Sequence, residues 1–571
     1  MKKRIIAVLV PIVLIFIVIA VALGGQILKK YSYSKNKADL KEYFHIAQDD
    51  EVAIVLQDTL VEEKALLRDN VIYFALSTVE KYFTERFYVN SAEQVLVFTT
   101  DTDIIQINIA YDSDVVYVSG AGQELGYKAA FYEGETLYIA ADYVKRYANF
   151  EYQVFDAPLH MQVYTEWGSY TEAVLSKKTA LRYQGGIKSD ILVQLAAGDA
   201  VTVLEQMENW SKVKTADAFI GYVENKFLKD EKETERICNT GFQEIVYNNV
   251  KKEGMINLTF HQVFDEVGGD ALANALARTK TVNVVSPTWF RLNNNSGDFA
   301  SIANASYVAR AHDLGIEVWA LITDVDSVDQ FGVEIDFVEL LSSSANRRHL
   351  IEGLMAQVDG YGLDGVNIDF EKVRSDSGIH FVQFLRELSI ETRKRGVVLS
   401  VDNYVPSEYT AHYNRKEQGI VADYIIIMGY DEHYVGGGAA GSNASIMFVE
   451  DGIANTKEVV PAEKIINAIP FYTRVWESGP DGLKASTLTM NAQADWVARA
   501  GMTPTWVEEY CQNYVEYQVG DTLYQCWLED MESIRVKLQV MKNQGIKGVA
   551  SWKLGLETSA VWDVIADYMT Q

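Results

Sequence analysis

From residue 238 to the C-terminus the chain repeats one rhythm, a short apolar run followed by a stretch of helical spacing. The runs fall at 256–259, 282–286, 318–322, 365–369, 398–401, 424–428, 465–469 and 548–551. Helical periodicity fills the intervals, most plainly at 380–394 and 531–543. Short runs of mostly Val, Ile, Leu and Ala are buried on both faces, and such strands separated by helices build parallel sheets. Eight of them fit an α/β fold, a (β/α)8 TIM barrel. A doubly wound sheet is the alternative, but no glycine-rich phosphate loop opens the first strand–helix unit. In a barrel, chemistry sits at the C-terminal ends of the strands.

The fourth run departs from the others. It reads Leu363-Asp364-Gly365-Val366-Asn367-Ile368-Asp369-Phe370-Glu371. Alternate residues of a strand share a face, so Asn367, Asp369 and Glu371 form one row, and Val366, Ile368 and Phe370 face the helices. Acidic groups inside a barrel are costly unless paired or used. Two carboxyls about 7 Å apart on one strand repel when both are charged, so one holds a proton near neutral pH, as a general acid must. A buried, hydrogen-bonded acidic pair with no catalytic role is the competing explanation.

These residues closely resemble the Asp-Gly-x-Asp-x-Asp-x-Glu signature of family 18 glycoside hydrolases. Met428-Gly429-Tyr430-Asp431 on the sixth run, Ile469–Trp476 after the seventh and Gly548–Gly555 at the eighth also resemble that family, in the same order. The likeness covers about residues 240–571 and is greatest to the spore-cortex and peptidoglycan N-acetylglucosaminidase branch. It implies a retaining mechanism in which the substrate's acetamido group is the nucleophile. Glu371 is then the general acid, Asp369 orients the amide and Tyr430 holds its carbonyl oxygen. Trp552 is the platform under the sugar, while Asp431, Asn367, Tyr404 and Met428 bind substrate. Asn403 and His433 could reach the cleft by position alone.

Two departures bear on substrate. Asn367 stands where chitinases carry an Asp, so Asp369 loses an acidic neighbour and is expected to stay charged more easily. The third run reads Ala320-Leu321-Ile322-Thr323-Asp324 and lacks the chitinase Ser-x-Gly-Gly. Both favour peptidoglycan over chitin as the N-acetylglucosamine polymer. Chitin oligomers, N-glycans and a non-catalytic glycan-binding protein are the alternatives.

Ahead of the barrel, residues 169–232 carry short alternating β runs and resemble a bacterial SH3-like domain, a small β barrel of a kind that binds cell-wall peptides. Trp210 there fits either a ligand contact or the core. Residues 46–168 contain two similar segments, 71–82 and 136–147, each a strand running into a helix. They resemble the α+β stalk domain at the N-terminus of some copper amine oxidases, with a spacer role and no copper site. Residues 29–45 read as a polar linker. Residues 1–28 place Lys2-Lys3-Arg4 before an apolar run from Ile5 to Leu23, long enough to cross a bilayer as a helix. A cleaved signal peptide, giving a secreted protein, is the alternative to this single-pass anchor.

The net charge of −28 argues against nucleic-acid binding, which needs clustered Lys and Arg. The three cysteines cannot complete a disulfide framework, and a turn at Gly520-Asp521 would set Cys526 opposite Val515 rather than Cys511. No CxxC pair or histidine cluster points to a metal, and no cofactor is implied. Because basic flanks remain in the cytoplasm, residues 30–571 are expected outside the membrane. Protease added to intact cells, with the wall made permeable, should then digest the barrel. A barrel that survives while a known surface protein is cut would contradict this topology.

Overall fold

All eight apolar runs form strands, and the strands close into a barrel. The computed structural model describes residues 29–111 and 114–570, with a few positions between 14 and 21. The expected membrane segment therefore lies largely outside the described residues. Among the described residues no helix is long and apolar enough to cross a membrane. The chain divides into two units, one holding residues up to 87 and 106–244, the other 88–105 and 245 onward.

The second unit carries β1 (Ile256–His261), β2 (Val284–Pro287), β3 (Glu317–Thr323), β4 (Gly365–Asp369), β5 (Val398–Tyr404), β6 (Tyr424–Met428), β7 (Ile465–Pro470) and β8 (Gly548–Trp552). Each pairs in parallel with its sequence neighbours, β8 returns to β1, and β2 meets β3, so no edge is left between them. Leu258, Trp319, Ile426, Ala468 and Ala550 fill the inside. Val366, Ile368 and Phe370 pack outward with the helices, as alternation on β4 requires. After β7 the chain makes a five-stranded antiparallel sheet between Tyr472 and Trp527. The segment read as one stretch from Ile469 to Trp476 is thus divided, its first part ending β7 and the rest opening this insertion. Val515 does lie opposite Cys526, and all three cysteines are free.

In the first unit the two similar segments are partners. Strand Val71–Ala75 runs into helix Leu76–Tyr82, strand Thr136–Ala140 into helix Ala141–Val144, and the strands pair antiparallel. Tyr73 lies opposite Ala140 and Ala75 opposite Tyr138, so equivalent positions exchange about a local two-fold axis. Residues 168–236 form a separate seven-stranded sheet. One of its strands, Ile191–Leu195, was not apparent from the sequence. Residues 34–38, expected as linker, run beside it, with Ser34 N–H donating to Ile187 O and Ala38 N–H to Ile191 O.

Residues 88–105, expected in the stalk, belong with the barrel instead. The sequence pattern points to a strand at 94–99, which forms as Val95–Thr99, but it carries no information on which core a hairpin covers. Helix α1 (Ser344–Tyr361) and helix α2 (Gly378–Arg395) lie beneath it. Asn90 Nδ2 donates to Ser342 O at 2.6 Å, the Tyr88 hydroxyl meets His380 Nδ1 at 2.7 Å, and Gln383 donates to Thr99 Oγ1 at 2.9 Å. Covered in this way, α2 buries twelve of its eighteen residues. Among them Glu387 takes two bonds from Arg347 Nε and one from Nη2 at 2.8–3.1 Å, with 1% and 7% of the two side chains exposed. Removing one member of such a pair strands the other charge in a dry place. Arg347→Ala should therefore lower the stability of this unit by about 3–5 kcal/mol, whereas Arg347→Met with Glu387→Leu should cost far less. Urea unfolding followed by tryptophan fluorescence checks the difference, and equal losses would show that the buried pair is not what α1 and α2 depend on.

Candidate active site

A cleft of about 990 Å³ opens at the C-terminal ends of β4, β5, β6 and β8. Asp369, Glu371, Tyr404, Met428, Tyr430, Asp431 and Trp552 all line it. The parallel register explains the convergence. Asn367 pairs with Ser400, which brings Asp402 level with Asp369, and Tyr404 pairs with Met428.

Glu371 stands just past the end of β4, where the Tyr404 hydroxyl donates to its Oε2 at 2.7 Å. Asp369 is 7% exposed and is the last residue of β4. Tyr430 follows Gly429, whose hydrogen atom is needed because a Cβ there would come within 2.9 Å of Ala468 O. The close approach lets Gly429 N–H donate to that oxygen and turns Tyr430 and Asp431 toward the cleft. Asp431 is held by the Tyr472 hydroxyl at 2.6 Å and by the Arg474 guanidinium. Both partners come from the insertion after β7. The Trp552 ring packs at 5.4 Å from Phe260 and leaves part of its surface in the cleft.

Asn367 does not line the cleft. It is fully buried, one step back along β4, and its Nδ2 donates to Ser400 Oγ at 2.9 Å and Asp402 Oδ1 at 3.0 Å. This overturns the expectation that Asp369 stays charged more easily. The acid missing from β4 is supplied by Asp402 on β5, a residue that reading one strand at a time does not reveal. Burial, followed by Glu371, Asp402 and Asp324, holds the Asp369 carboxyl well above the ordinary range, against an opposing bond from Thr323. Burial also raises Glu371, against the Tyr404 hydrogen bond, and pushes Asp402 up to about 8, against the bond from Asn367. Interacting carboxyls of this kind release their protons as a set.

Asn403 faces the other way, toward Gln418 at 2.7 Å, as it must if Asp402 and Tyr404 point inward. His433 lies outside the lining, its Nδ1 2.9 Å from Ser442 O. The far wall of the cleft was missed as well. Phe448, Asp451 and Asn455 project from one face of helix α3 (Ile446–Lys457), and their spacing of three and four was the available signal. In the SH3-like sheet Trp210 is half-buried and borders a cleft of about 260 Å³ with Tyr33, Arg182 and Glu224.

A closed parallel barrel thus carries a row of proton-holding carboxyls at its C-terminal rim, where barrels keep their chemistry. Residues 220–557, more than half of the 571, match the glycosyl hydrolases family 18, and the chain belongs to that family. Residues 177–229 match the bacterial SH3 domain. The chain is 28% identical over 271 residues to a protein named as a sporulation-specific glycosylase in Bacillus subtilis strain 168, covering 46% of this chain and 63% of that protein. It is 23% identical over 262 residues to the cortical fragment-lytic enzyme of Bacillus anthracis, covering 44% and 59%. The chain thus spans about three fifths of the length of both. A chitinase structure from Chromobacterium violaceum ATCC 12472 superposes with a TM-score of 0.50 at 21% identity, over 56% of this chain and 100% of that one, and shares the fold.

The raised carboxyls set the sign of a stability change with pH. An unfolded Asp releases its proton near pH 4, whereas folded Asp402 keeps it to about 8. Between these values the folded state binds more protons, so its stability falls as pH rises. Asp402→Asn should flatten that decline between pH 5 and 8 and raise the urea midpoint at pH 8. Parallel wild-type and variant curves across this range would show that Asp402 is ionised throughout.

Proposed function

We propose that this glycosidase cleaves β-1,4 bonds after N-acetylglucosamine in peptidoglycan or a related wall polymer, by a retaining, substrate-assisted route. The observation that carries the reading is the pairing of Glu371, open to the cleft and bonded to Tyr404, with Asp369, buried and holding its proton strongly. Glu371 gives its proton to the leaving oxygen. The acetamido oxygen of the sugar attacks the anomeric carbon and closes an oxazolinium-like ring. As the ring N–H becomes positive it donates a hydrogen bond to the free oxygen of the Asp369 carboxyl, while the proton Asp369 holds stays on its other oxygen. Tyr430 steadies the amide oxygen before attack, and Trp552 supports the apolar face of the sugar. Glu371, now a base, draws a proton from water, which opens the ring with net retention.

Peptidoglycan is favoured because the B. anthracis relative is named for lysing cortical fragments and because an SH3-like domain precedes the barrel. In this reading that domain holds wall peptide, with Trp210 at its cleft, and the apolar N-terminal run keeps the enzyme at the outer face of the membrane. Chitin oligomers are the second candidate. Mass analysis of reducing ends released from purified peptidoglycan and, separately, from chitin oligomers distinguishes them.

Glu371→Gln should keep the fold and sugar binding and lose about 10²–10⁴-fold in turnover. A substrate with a free 2-amino group on the cleaved sugar should bind and remain intact, since it has no internal nucleophile. Detection of one sugar covalently attached to Asp369, or to any other carboxylate, after a denaturing quench would rule out the substrate-assisted route.

A further inference from the structure

The acid-bearing residue stands outside regular structure, yet its backbone is fully held. Strand β3 ends at Thr323, opposite Asp369, so the ladder between β3 and β4 stops there and Phe370–Lys372 runs on without strand partners. Unpaired backbone groups in so buried a place are costly, and two side chains satisfy them. Asp324, with none of its surface exposed, accepts the Glu371 N–H on Oδ1 at 2.7 Å and the Lys372 N–H on Oδ2 at 3.2 Å. The Tyr413 hydroxyl, also buried, lies 2.9 Å from Phe370 O and 3.1 Å from Glu371 O, its single proton shared between them. Neither residue lines the cleft.

We propose that Asp324 and Tyr413 are the positioning residues of the general acid, a two-sided clamp on the Phe370–Lys372 backbone that fixes where the Glu371 carboxyl enters the cleft. The inference rests on the reading of Glu371 as that acid. A carboxylate suits the N–H side because it offers an acceptor oxygen to each donor, whereas an amide would turn its own NH2 toward one of them. Mere satisfaction of a backbone N–H needs no charge, and a neutral side chain would avoid setting another acid near Asp369, Glu371 and Asp402. The charge has a second consequence. It opposes loss of the proton held by Asp369 and its neighbours, so the clamp that places the acid also helps keep the cluster protonated. The other groups bearing on Asp324 are Lys372, which favours its charge, and Glu371, which opposes it, while burial pushes it up to about 6. Tyr413 feels the same three acids, Asp324, Glu371 and Asp369.

The test is steady-state kinetics on D324N, Y413F and E371Q in the full chain, with N-acetylated substrate, across pH. D324N should lose about 10²-fold in kcat, the scale of a misplaced catalytic group, with KM changed less than about three-fold. Its basic limb should move to lower pH, since the cluster has lost a negative neighbour. Y413F removes the other arm without changing charge, so kcat should fall and the limb should stay in place. A structural prop would lower stability while leaving kcat near the wild-type value in both variants. Wild-type kcat in Y413F, or a D324N enzyme with its basic limb unmoved, overturns the clamp. Loss of activity in E371Q alongside either result leaves the acid assignment standing, while retained activity in E371Q removes the acid reading itself.

Discussion

Four carboxyl groups share the buried rim of this barrel, and the rest of the site follows from how they are tolerated. Asp324, Asp369, Glu371 and Asp402 come from the ends of three consecutive strands or the residues just after them. Among the described residues no side-chain cation is hydrogen-bonded to any of them. Water would stabilise their charges, but burial removes it, so each is raised above its ordinary range. The structure meets the cost with hydrogen bonds rather than ion pairs. Asn367 serves Asp402, Tyr404 serves Glu371, and backbone N–H groups serve Asp324. Those bonds favour the charged forms, but burial outweighs them, so protons are kept near neutral pH where the chemistry has to spend one. Ion pairs would have driven the same groups to release them.

Much of this was legible because β-strand alternation is local. Reading every second residue of 365–371 separated the acids from the helix-facing Val366, Ile368 and Phe370, and the barrel bears that division out. The eight apolar runs announced eight strands for the same reason, since each had to be buried on both faces. Alternation was applied less strictly at β5. Naming Asn403 beside Tyr404 as possible cleft residues broke the period of two, and the residue that belonged with Tyr404 was Asp402.

What could not be read was who stands beside whom. Asn367 appears, on its own strand, to remove an acid from the site, and the expected effect on Asp369 had the wrong sign. The error lies in the neighbourhood, not in the electrostatics. The register of β4 against β5 sets Asp402 level with Asp369, and register depends on the closure of the whole barrel. The hairpin at 88–105 presents the same difficulty on a larger scale. Its strand pattern was visible, but the surface it covers is made by α1 and α2, more than two hundred residues later.

The division of labour around Glu371 follows from the same geometry. A side chain within a strand is aimed by the ladder on either side of it, as Asp369 is by its pairing with Thr323. A residue beyond the ladder gains access to the cleft and loses that support. Glu371 needs the access, because it must reach a leaving oxygen and then a water. It therefore needs other groups to do what the ladder no longer does, and these cannot stand in the cleft without obstructing the sugar. Asp324 and Tyr413 meet both conditions, lying behind the segment and bonding only to its backbone. Tyr404, in contrast, reaches the Glu371 carboxyl from within the cleft, where the same hydroxyl is open to substrate. Of the two groups behind the segment Asp324 bears on proton affinity as well as aim, through its charge, whereas Tyr413 bears on aim without a charge, so only at Tyr413 can aim be changed and measured by itself.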